Sequence, residues 1–233
     1  MTRAIAILTF AAALAFAISP VVSTGFSGFT ADQFPVPQTD PPIQPAGWAF
    51  SIWLPIYAWL IAGAGYGLWR RADDPAWTRA RPPLLASLVI GAAWIPVANV
   101  SPAWATVLIW AMLATAVAAL LRAPAGDRPW FAWPVGLYAG WLTAASSVAT
   151  AILATGYGAT PVVPIHSVFV LLALGIGVTV ARLAGPVPTY PVAIAWALFG
   201  IIVSNLSPPL WPMIILAGLG IVLLAPLALR RAT

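Results

Sequence analysis

The chain has 233 residues, of which 62% are hydrophobic and only 6% are charged, and its mean hydropathy is +0.97. Soluble domains carry about 25% charged residues, so this composition excludes a water-soluble globular fold and a disordered chain. The absence of cysteine, lysine and glutamate excludes disulfides, thiolate metal sites and a retinal Schiff base. Long unbroken apolar runs favour helices over a membrane barrel, and we predict an all-α, polytopic membrane helical bundle in which residues 1–233 form a single domain.

A membrane-spanning helix needs about 20 apolar residues, because the hydrocarbon core is about 30 Å thick and each residue rises about 1.5 Å. By that criterion the sequence predicts eight spans, with tight turns joining the third to the fourth and the seventh to the eighth. The predicted spans cover residues 4–24, 46–69, 83–100, 103–121, 131–155, 164–182, 190–205 and 212–229. The first span also resembles a secretory signal peptide, whose removal would leave seven spans, but its apolar run exceeds the ~7–15 residues of a signal sequence.

The ten basic residues are all arginines, and their positions predict the orientation in the membrane. If the N-terminus is cytoplasmic, every arginine falls on the cytoplasmic side, whereas the opposite loops carry only Asp32 and Asp40. The arginines are Arg3, Arg70, Arg71, Arg79, Arg81, Arg122, Arg128, Arg182, Arg230 and Arg231. Cytoplasmic loops of membrane proteins are enriched in basic residues, so topology accounts for the high pI without a nucleic-acid partner. We therefore predict a multi-pass protein of a bacterial inner membrane with both termini cytoplasmic.

Two similar strings indicate an internal duplication. Val-Ala-Asn-Val-Ser-Pro-Ala-Trp at 97–104 resembles Val-Ser-Asn-Leu-Ser-Pro-Pro-Leu-Trp at 203–211, and both fall at predicted hairpin turns. The first interpretation is two repeat halves, 1–122 and 123–233, in the same orientation, as in some transporters. The alternative is that Asn-x-Ser-Pro is favourable turn chemistry used twice independently.

Two Gly-x-x-x-Gly pairs, Gly63/Gly67 and Gly136/Gly140, predict positions of close helix approach. In lipid, helices associate largely through the close packing that small residues allow. The sequence leaves open whether these pairs pack inside one chain or between two copies.

The chain contains thirteen tryptophans, and several of them fall too deep for an interfacial belt. The deep ones are Trp53, Trp59, Trp94, Trp110, Trp141 and Trp196. On a helical wheel of the second span, one stripe holds Trp48, Trp59 and Tyr66, and the opposite stripe holds Phe50, Trp53 and Tyr57. Two opposed aromatic stripes predict that at least one faces the protein interior. Such a wall either binds a flat apolar ligand or forms an aromatic core without a ligand.

Pro45-Ala-Gly-Trp48-Ala-Phe50-Ser-Ile-Trp53-Leu-Pro-Ile-Tyr57 resembles a string of the tryptophan-rich sensory proteins, the TspO/MBR family, which is related to the mitochondrial translocator protein. The string Leu137-Tyr-Ala-Gly-Trp141-Leu-Thr-Ala is also similar to that family. The resemblance is closer to a longer branch with additional helices, since shorter members have five helices. It implies a sensory or regulatory membrane receptor or carrier for a flat apolar ligand, such as a tetrapyrrole or a sterol-like molecule, with Trp48, Phe50, Trp53 and Tyr57 lining the pocket.

Three further residues are candidates for ligand binding. Trp141 is a deep tryptophan of the second family string. His166, the single histidine, would serve either as an axial ligand of a tetrapyrrole metal or as a hydrogen-bonded residue at a helix end. Asn99 would either line an outer vestibule or cap a helix.

No predicted span carries a charged residue between its ends, which argues against a pump, an ion-coupled transporter or a voltage sensor. No catalytic set of residues is evident, so we expect a protein that is not an enzyme. Two alternatives to a receptor stay open: an accessory subunit of a larger membrane complex that holds pigments or haems, and a facilitative small-molecule transporter. The expected partners are the lipid bilayer, an apolar small molecule and such a complex, and the bound group is a tetrapyrrole, a carotenoid or a lipid.

Overall fold

The computed structural model describes residues 2–23, 26 and 28–230, which form eight α-helices joined mostly by short loops. The helices are α1 (Thr2–Val22), α2 (Trp53–Arg70), α3 (Pro75–Ala98), α4 (Pro102–Leu120), α5 (Ala132–Gly156), α6 (Val162–Leu183), α7 (Thr189–Ser204) and α8 (Trp211–Ala228). Seven helical segments are long and apolar enough to cross a membrane, and α7 is shorter at 16 residues. The predicted all-α membrane bundle is confirmed.

The predicted second span, 46–69, corresponds to the helical segment Gly47–Arg70, whose first part is a 3-10 turn at Gly47–Ile52 before α2 starts. The start predicted for the third span was wrong for a local reason. The third helix begins at Pro75, well before the predicted start, because Asp74 caps it by accepting the amide protons of Ala76 and Trp77. As a result Arg79 and Arg81 lie on α3 rather than in a loop.

Helix α5 is the most deeply buried of the seven long helices and packs against α2, α4, α6 and α7. Its alanines, glycines, serines and threonines let these neighbours approach closely. Its Gly136 lies against Val187 and Gly140 against the backbone of Tyr190, while Gly63 on α2 faces the backbone carbonyl of Trp130. Both Gly-x-x-x-Gly pairs therefore lie in contacts within one chain.

The two halves of the chain share a pattern of neighbours. Helix α1 packs against α2 and α3, and α3 packs against α4. In the second half α5 packs in the same way against α6 and α7, and α7 against α8. A duplication into halves 1–122 and 123–233 would produce this correspondence, and it remains our proposal.

The described arginines lie at helix ends and loops that meet at one end of the bundle, here called the basic end; Arg231 is outside the described residues. Within this end Asp127 joins two segments, since its carboxylate accepts hydrogen bonds from Arg71 Nε at 2.5 Å and from the Tyr66 hydroxyl at 3.0 Å. The hydrogen bond from Arg71 holds the pKa of Asp127 below its ordinary value. The pair fastens the α2–α3 connection to the segment that precedes α5.

Asp127→Asn is expected to lower thermal stability slightly at neutral pH and to weaken the loss of stability in acid. The folded pKa of Asp127 is depressed, so the contribution of the ion pair is present above the ordinary carboxyl pKa and is lost as the pH falls through the folded value. The measurement is the unfolding temperature as a function of pH in one detergent. Asp73→Asn serves as the control, because Asp73 forms an exposed pair with Arg3 at 3.3 Å. Equal acid profiles for wild type and Asp127→Asn would contradict this assignment.

Candidate ligand-binding site

A cavity of about 250 Å³ lies between α1, α2, α3 and α4, toward the end of the bundle opposite the basic end. We call it the aromatic chamber, because rings form most of its wall. The ring residues that line it are Phe16, Phe26, Phe50, Trp53, Tyr57 and Trp94. Leu54, which is 73% exposed, lies at its edge, so one side of the chamber faces the surroundings of the bundle.

Packing between rings fixes the wall of the aromatic chamber. Trp53 and Tyr57 are one helical turn apart on α2, and their rings stack with centroids 5.3 Å apart. Phe16 of α1 meets both rings edge-on, at 5.8 Å from Trp53 and 4.9 Å from Tyr57. Stacked and edge-to-face arrangements are the favourable geometries for aromatic pairs, so these rings hold one another in place and leave a flat apolar surface.

A second, smaller cavity of about 50 Å³ adjoins the aromatic chamber, and the two share the wall residues Phe26, Phe50, Trp94 and Ile109. We call it the Trp141 pocket, because Trp141 of α5 lies in its wall among small residues of the same helix. Phe50 contacts Trp141 edge-on at 5.7 Å. The structure thus brings together four of the predicted site residues, Phe50, Trp53, Tyr57 and Trp141.

Two of the polar groups near these cavities are hydrogen-bonded within the protein. The Trp94 indole N–H donates to the backbone oxygen of Ala105 at 2.8 Å, and the hydroxyls of Ser87 and Tyr138 lie 2.9 Å apart. Trp141 Nε1, in contrast, is buried and has no hydrogen-bond partner among the described residues. No described charged side chain and no histidine lines either cavity. The site can therefore offer stacking, dispersion and a small number of hydrogen bonds, but no charge.

Trp48 lies outside both cavities. It is 41% exposed, and its ring meets Trp196 edge-on at 5.0 Å and packs against Phe199 of α7. The reason is the 3-10 turn at Gly47–Ile52, which turns about 120° per residue instead of about 100° and so separates Trp48 from the helical stripe predicted for it. The other members of that stripe pack at the basic end, where Trp59 donates to the Pro129 oxygen and Tyr66 stacks on Trp130.

His166 is buried on α6 and lines neither cavity. Its Nδ1 accepts a hydrogen bond from the backbone N–H of Ile43 at 3.3 Å, so Nε2 carries the proton and lies 3.2 Å from the Thr155 hydroxyl. Both ring nitrogens are thus occupied, and the residue ties the segment before the 3-10 turn to α5 and α6.

Asn99 is an exposed residue at the C-terminal end of α3 and lines neither cavity. Its counterpart in the second hairpin turn, Asn205, does line an open cavity of about 580 Å³ at the end of the bundle opposite the basic end, together with Asp40 and Ser207. The Asn205 amide donates to the Pro42 and Ile201 oxygens, both at 2.8 Å, which fixes the hairpin against the loop before α2.

Several wall residues were missed by the sequence patterns because they come from other elements. Phe16 lies on α1, Phe26 in the loop after it, and Met112 on α4. Trp94 stood out as a deep tryptophan, but its position opposite α2 depends on how α3 packs. Only tertiary packing brings these residues into one cavity.

A comparison of the sequence with models of known protein families identifies the family of this chain. The model of the TSPO-like protein family matches residues 2–229 of the chain. The chain belongs to the TSPO-like protein family. The resemblance of the Pro45–Tyr57 string to the TspO group is thereby confirmed, and in this TSPO-like chain part of that string forms the wall of the aromatic chamber. No curated protein and no solved structure matches the chain significantly.

Proposed function

We propose that this TSPO-like protein is a membrane receptor or carrier that binds a flat, mostly apolar ligand in the aromatic chamber. The observation that supports the proposal is the converging set of rings around an unfilled volume inside the bundle, with Trp53 stacked on Tyr57 as its flattest part. A solid aromatic core would leave no such volume. Rings that bury a flat ligand contribute dispersion and stacking without the need for charged groups.

The proposal includes an orientation. The basic end faces the cytoplasm, in keeping with the enrichment of arginine in cytoplasmic loops. The aromatic chamber then lies toward the outer side, and its open edge at Leu54 faces the acyl chains rather than water. An apolar ligand that is dissolved in the bilayer could enter from there without crossing an aqueous phase. Binding, rather than catalysis, is the role that we propose.

Trp53→Ala and Tyr57→Ala are each expected to weaken binding of a flat apolar quencher by about tenfold, because each removes one of the two stacked rings that the ligand contacts. The measurement is quenching of tryptophan fluorescence by menadione, a flat uncharged quinone, in purified protein held in nanodiscs. A site gives a saturable component, whereas quinone dissolved in the lipid gives a linear one.

Trp69→Ala is the matched control, since Trp69 is 86% exposed near the basic end and lies outside the chamber. Its variant should keep the saturable component with the affinity of the wild type. If menadione quenching is linear in the wild type, or equally saturable in all variants, the aromatic chamber is not the binding site and the proposed function falls.

A further inference from the structure

Trp141 combines deep burial with an indole N–H that has no hydrogen-bond partner in the described part of the chain. Buried tryptophans normally satisfy this group. Other tryptophans of the chain do so: Trp94, Trp110 and Trp196 each donate to an oxygen atom at 2.8 Å. Two more buried indole N–H groups are unpaired, those of Trp77 and Trp133, but neither residue lines the aromatic chamber or the Trp141 pocket. Of these three buried and unpaired indole N–H groups in the described residues, that of Trp141 alone belongs to a residue that lines the candidate site.

Water is a poor partner for this N–H. A buried water molecule is held by two to four polar groups. Besides the Trp141 N–H, the side chains of the pocket wall offer a water molecule only the Gln44 amide, because the Trp94 N–H is already used by Ala105. These side chains therefore supply a water with the minimum of two partners. An acceptor atom on an apolar ligand needs only this one hydrogen bond, because the rest of the ligand packs against the apolar wall. Such an atom is therefore a better partner for the Trp141 N–H than a water molecule.

The sizes of the two cavities indicate how a ligand would divide between them. The Trp141 pocket, at about 50 Å³, has room for one small functional group, whereas the aromatic chamber, at about 250 Å³, has room for a small ring system. The cavities share Phe50 and Trp94 in their walls and so lie side by side. A molecule that passes between these side chains would place its rings in the chamber and its end group beside Trp141.

The residues that line the two cavities also indicate that the ligand is uncharged. An unpaired carboxylate in an apolar site is strongly unfavourable, and no described arginine or histidine reaches either cavity. A molecule with free carboxylates, such as an unesterified tetrapyrrole, would find no counter-charge here.

We propose that the Trp141 indole N–H donates a hydrogen bond to the bound ligand, and that this ligand is an uncharged, flat, mostly hydrocarbon molecule with an acceptor oxygen, such as a ketone or quinone oxygen, at one end. The proposal rests on the proposed function and narrows it to a ligand class. Trp141 binds the oxygen-bearing end of the ligand in the Trp141 pocket, while Trp53 and Tyr57 stack on the rings of the ligand in the aromatic chamber.

The test compares two probes of almost equal shape: 2-acetonaphthone, which carries a ketone oxygen, and 2-ethylnaphthalene, which does not. Their affinities are measured by displacement of menadione from wild type, Trp141→Phe and Trp94→Phe. The Trp94 variant is a matched control, because it removes an indole from the same walls whose N–H is already used by Ala105. The solvation of each probe is the same for all three proteins, so it cancels in the ratio of the two affinities.

Relative to wild type, Trp141→Phe is expected to shift this ratio about three- to tenfold toward the hydrocarbon, the worth of one hydrogen bond, while Trp94→Phe leaves it unchanged. The infrared carbonyl stretch of 2-acetonaphthone bound to wild type should lie below its value in hexane, and should return toward that value in Trp141→Phe.

An unchanged ratio in Trp141→Phe, or an equal shift in both variants, would overturn the hydrogen bond to Trp141 and leave the proposed function standing. If wild type shows no saturable menadione binding and binds neither probe, the proposed function fails, and the assignment of Trp141 fails with it.

Discussion

Replacing Arg81 with methionine is expected to lower the free energy of unfolding by about 3 kcal/mol, although the residue lies at the basic end, far from the ligand site. Arg81 is only 2% exposed. Its guanidinium donates to the Gly67 and Arg71 oxygens, both at 2.8 Å, and to the Ala72 oxygen at 3.1 Å. These carbonyls lie in the last turn of α2 and just after it, and two of them also accept a backbone N–H, Gly67 from Arg71 and Arg71 from Asp74, both at 3.2 Å. Arg81 adds a charged donor to this turn, so it fastens the end of one helix from the first turns of another.

The loss would be large because methionine keeps much of the apolar stem but removes three hydrogen bonds from a buried, charged donor. A hydrogen bond from a charged donor contributes about 1.5–3 kcal/mol, and removal of the buried charge offsets part of the sum. Arg81→Lys should fall between wild type and Arg81→Met, because an ammonium group cannot span three carbonyls as a planar guanidinium does.

Chemical or thermal unfolding followed by circular dichroism in one detergent gives the measurement. Arg79→Met is the control, since Arg79 is exposed on the same helix. Equal stability of the Arg79 and Arg81 methionine variants would show that the buried contacts of Arg81 do not stabilise the fold.

Arg81 also illustrates what the sequence could and could not predict. Hydropathy is a local property, so it predicted the number and order of the helices and their apolar cores. It is insensitive to the cap at Asp74, and so the start of α3 was placed after Arg81 rather than before it. An acidic residue followed by proline is a recognisable start signal, and it would have moved Arg79 and Arg81 onto the helix.

The candidate site was predictable only in part for a related reason. Trp53 and Tyr57 lie one turn apart within a single helix, so their shared face followed from helical periodicity. Trp48 did not follow it, because the chain there is a 3-10 turn. The environment of His166 depends on Ile43, which is distant in the sequence, and the contrast between Trp94 and Trp141 depends on which carbonyl each indole meets. Such contacts are tertiary and leave no periodic signal.

Gly140→Ala is expected to destabilise the protein by about 3 kcal/mol, a large effect for one added methyl group. The new Cβ would overlap the backbone oxygen of Tyr190 and lie 2.9 Å from the Ala193 Cβ. A backbone carbonyl cannot rotate aside as a side chain can, so α5 and α7 would have to move apart. The better helix propensity of alanine, worth about 1 kcal/mol, is too small to compensate.

A separation of α5 and α7 would also change the shape of the ligand site. One turn along α5, the Thr143 hydroxyl lies 2.8 Å from that of Tyr190, and Ala197 of α7 lines the Trp141 pocket opposite α5. We therefore expect Gly140→Ala to lower both the unfolding temperature and the affinity for menadione. Gly175→Ala is the control, because apart from the adjacent backbone of its own helix no atom of the described residues lies within 4 Å of its added Cβ, and it should be neutral or stabilising by up to about 1 kcal/mol. Because both variants add the same methyl group within a helix, a difference between them reports the α5–α7 contact alone, and equal unfolding temperatures would mean that this contact is not close-packed.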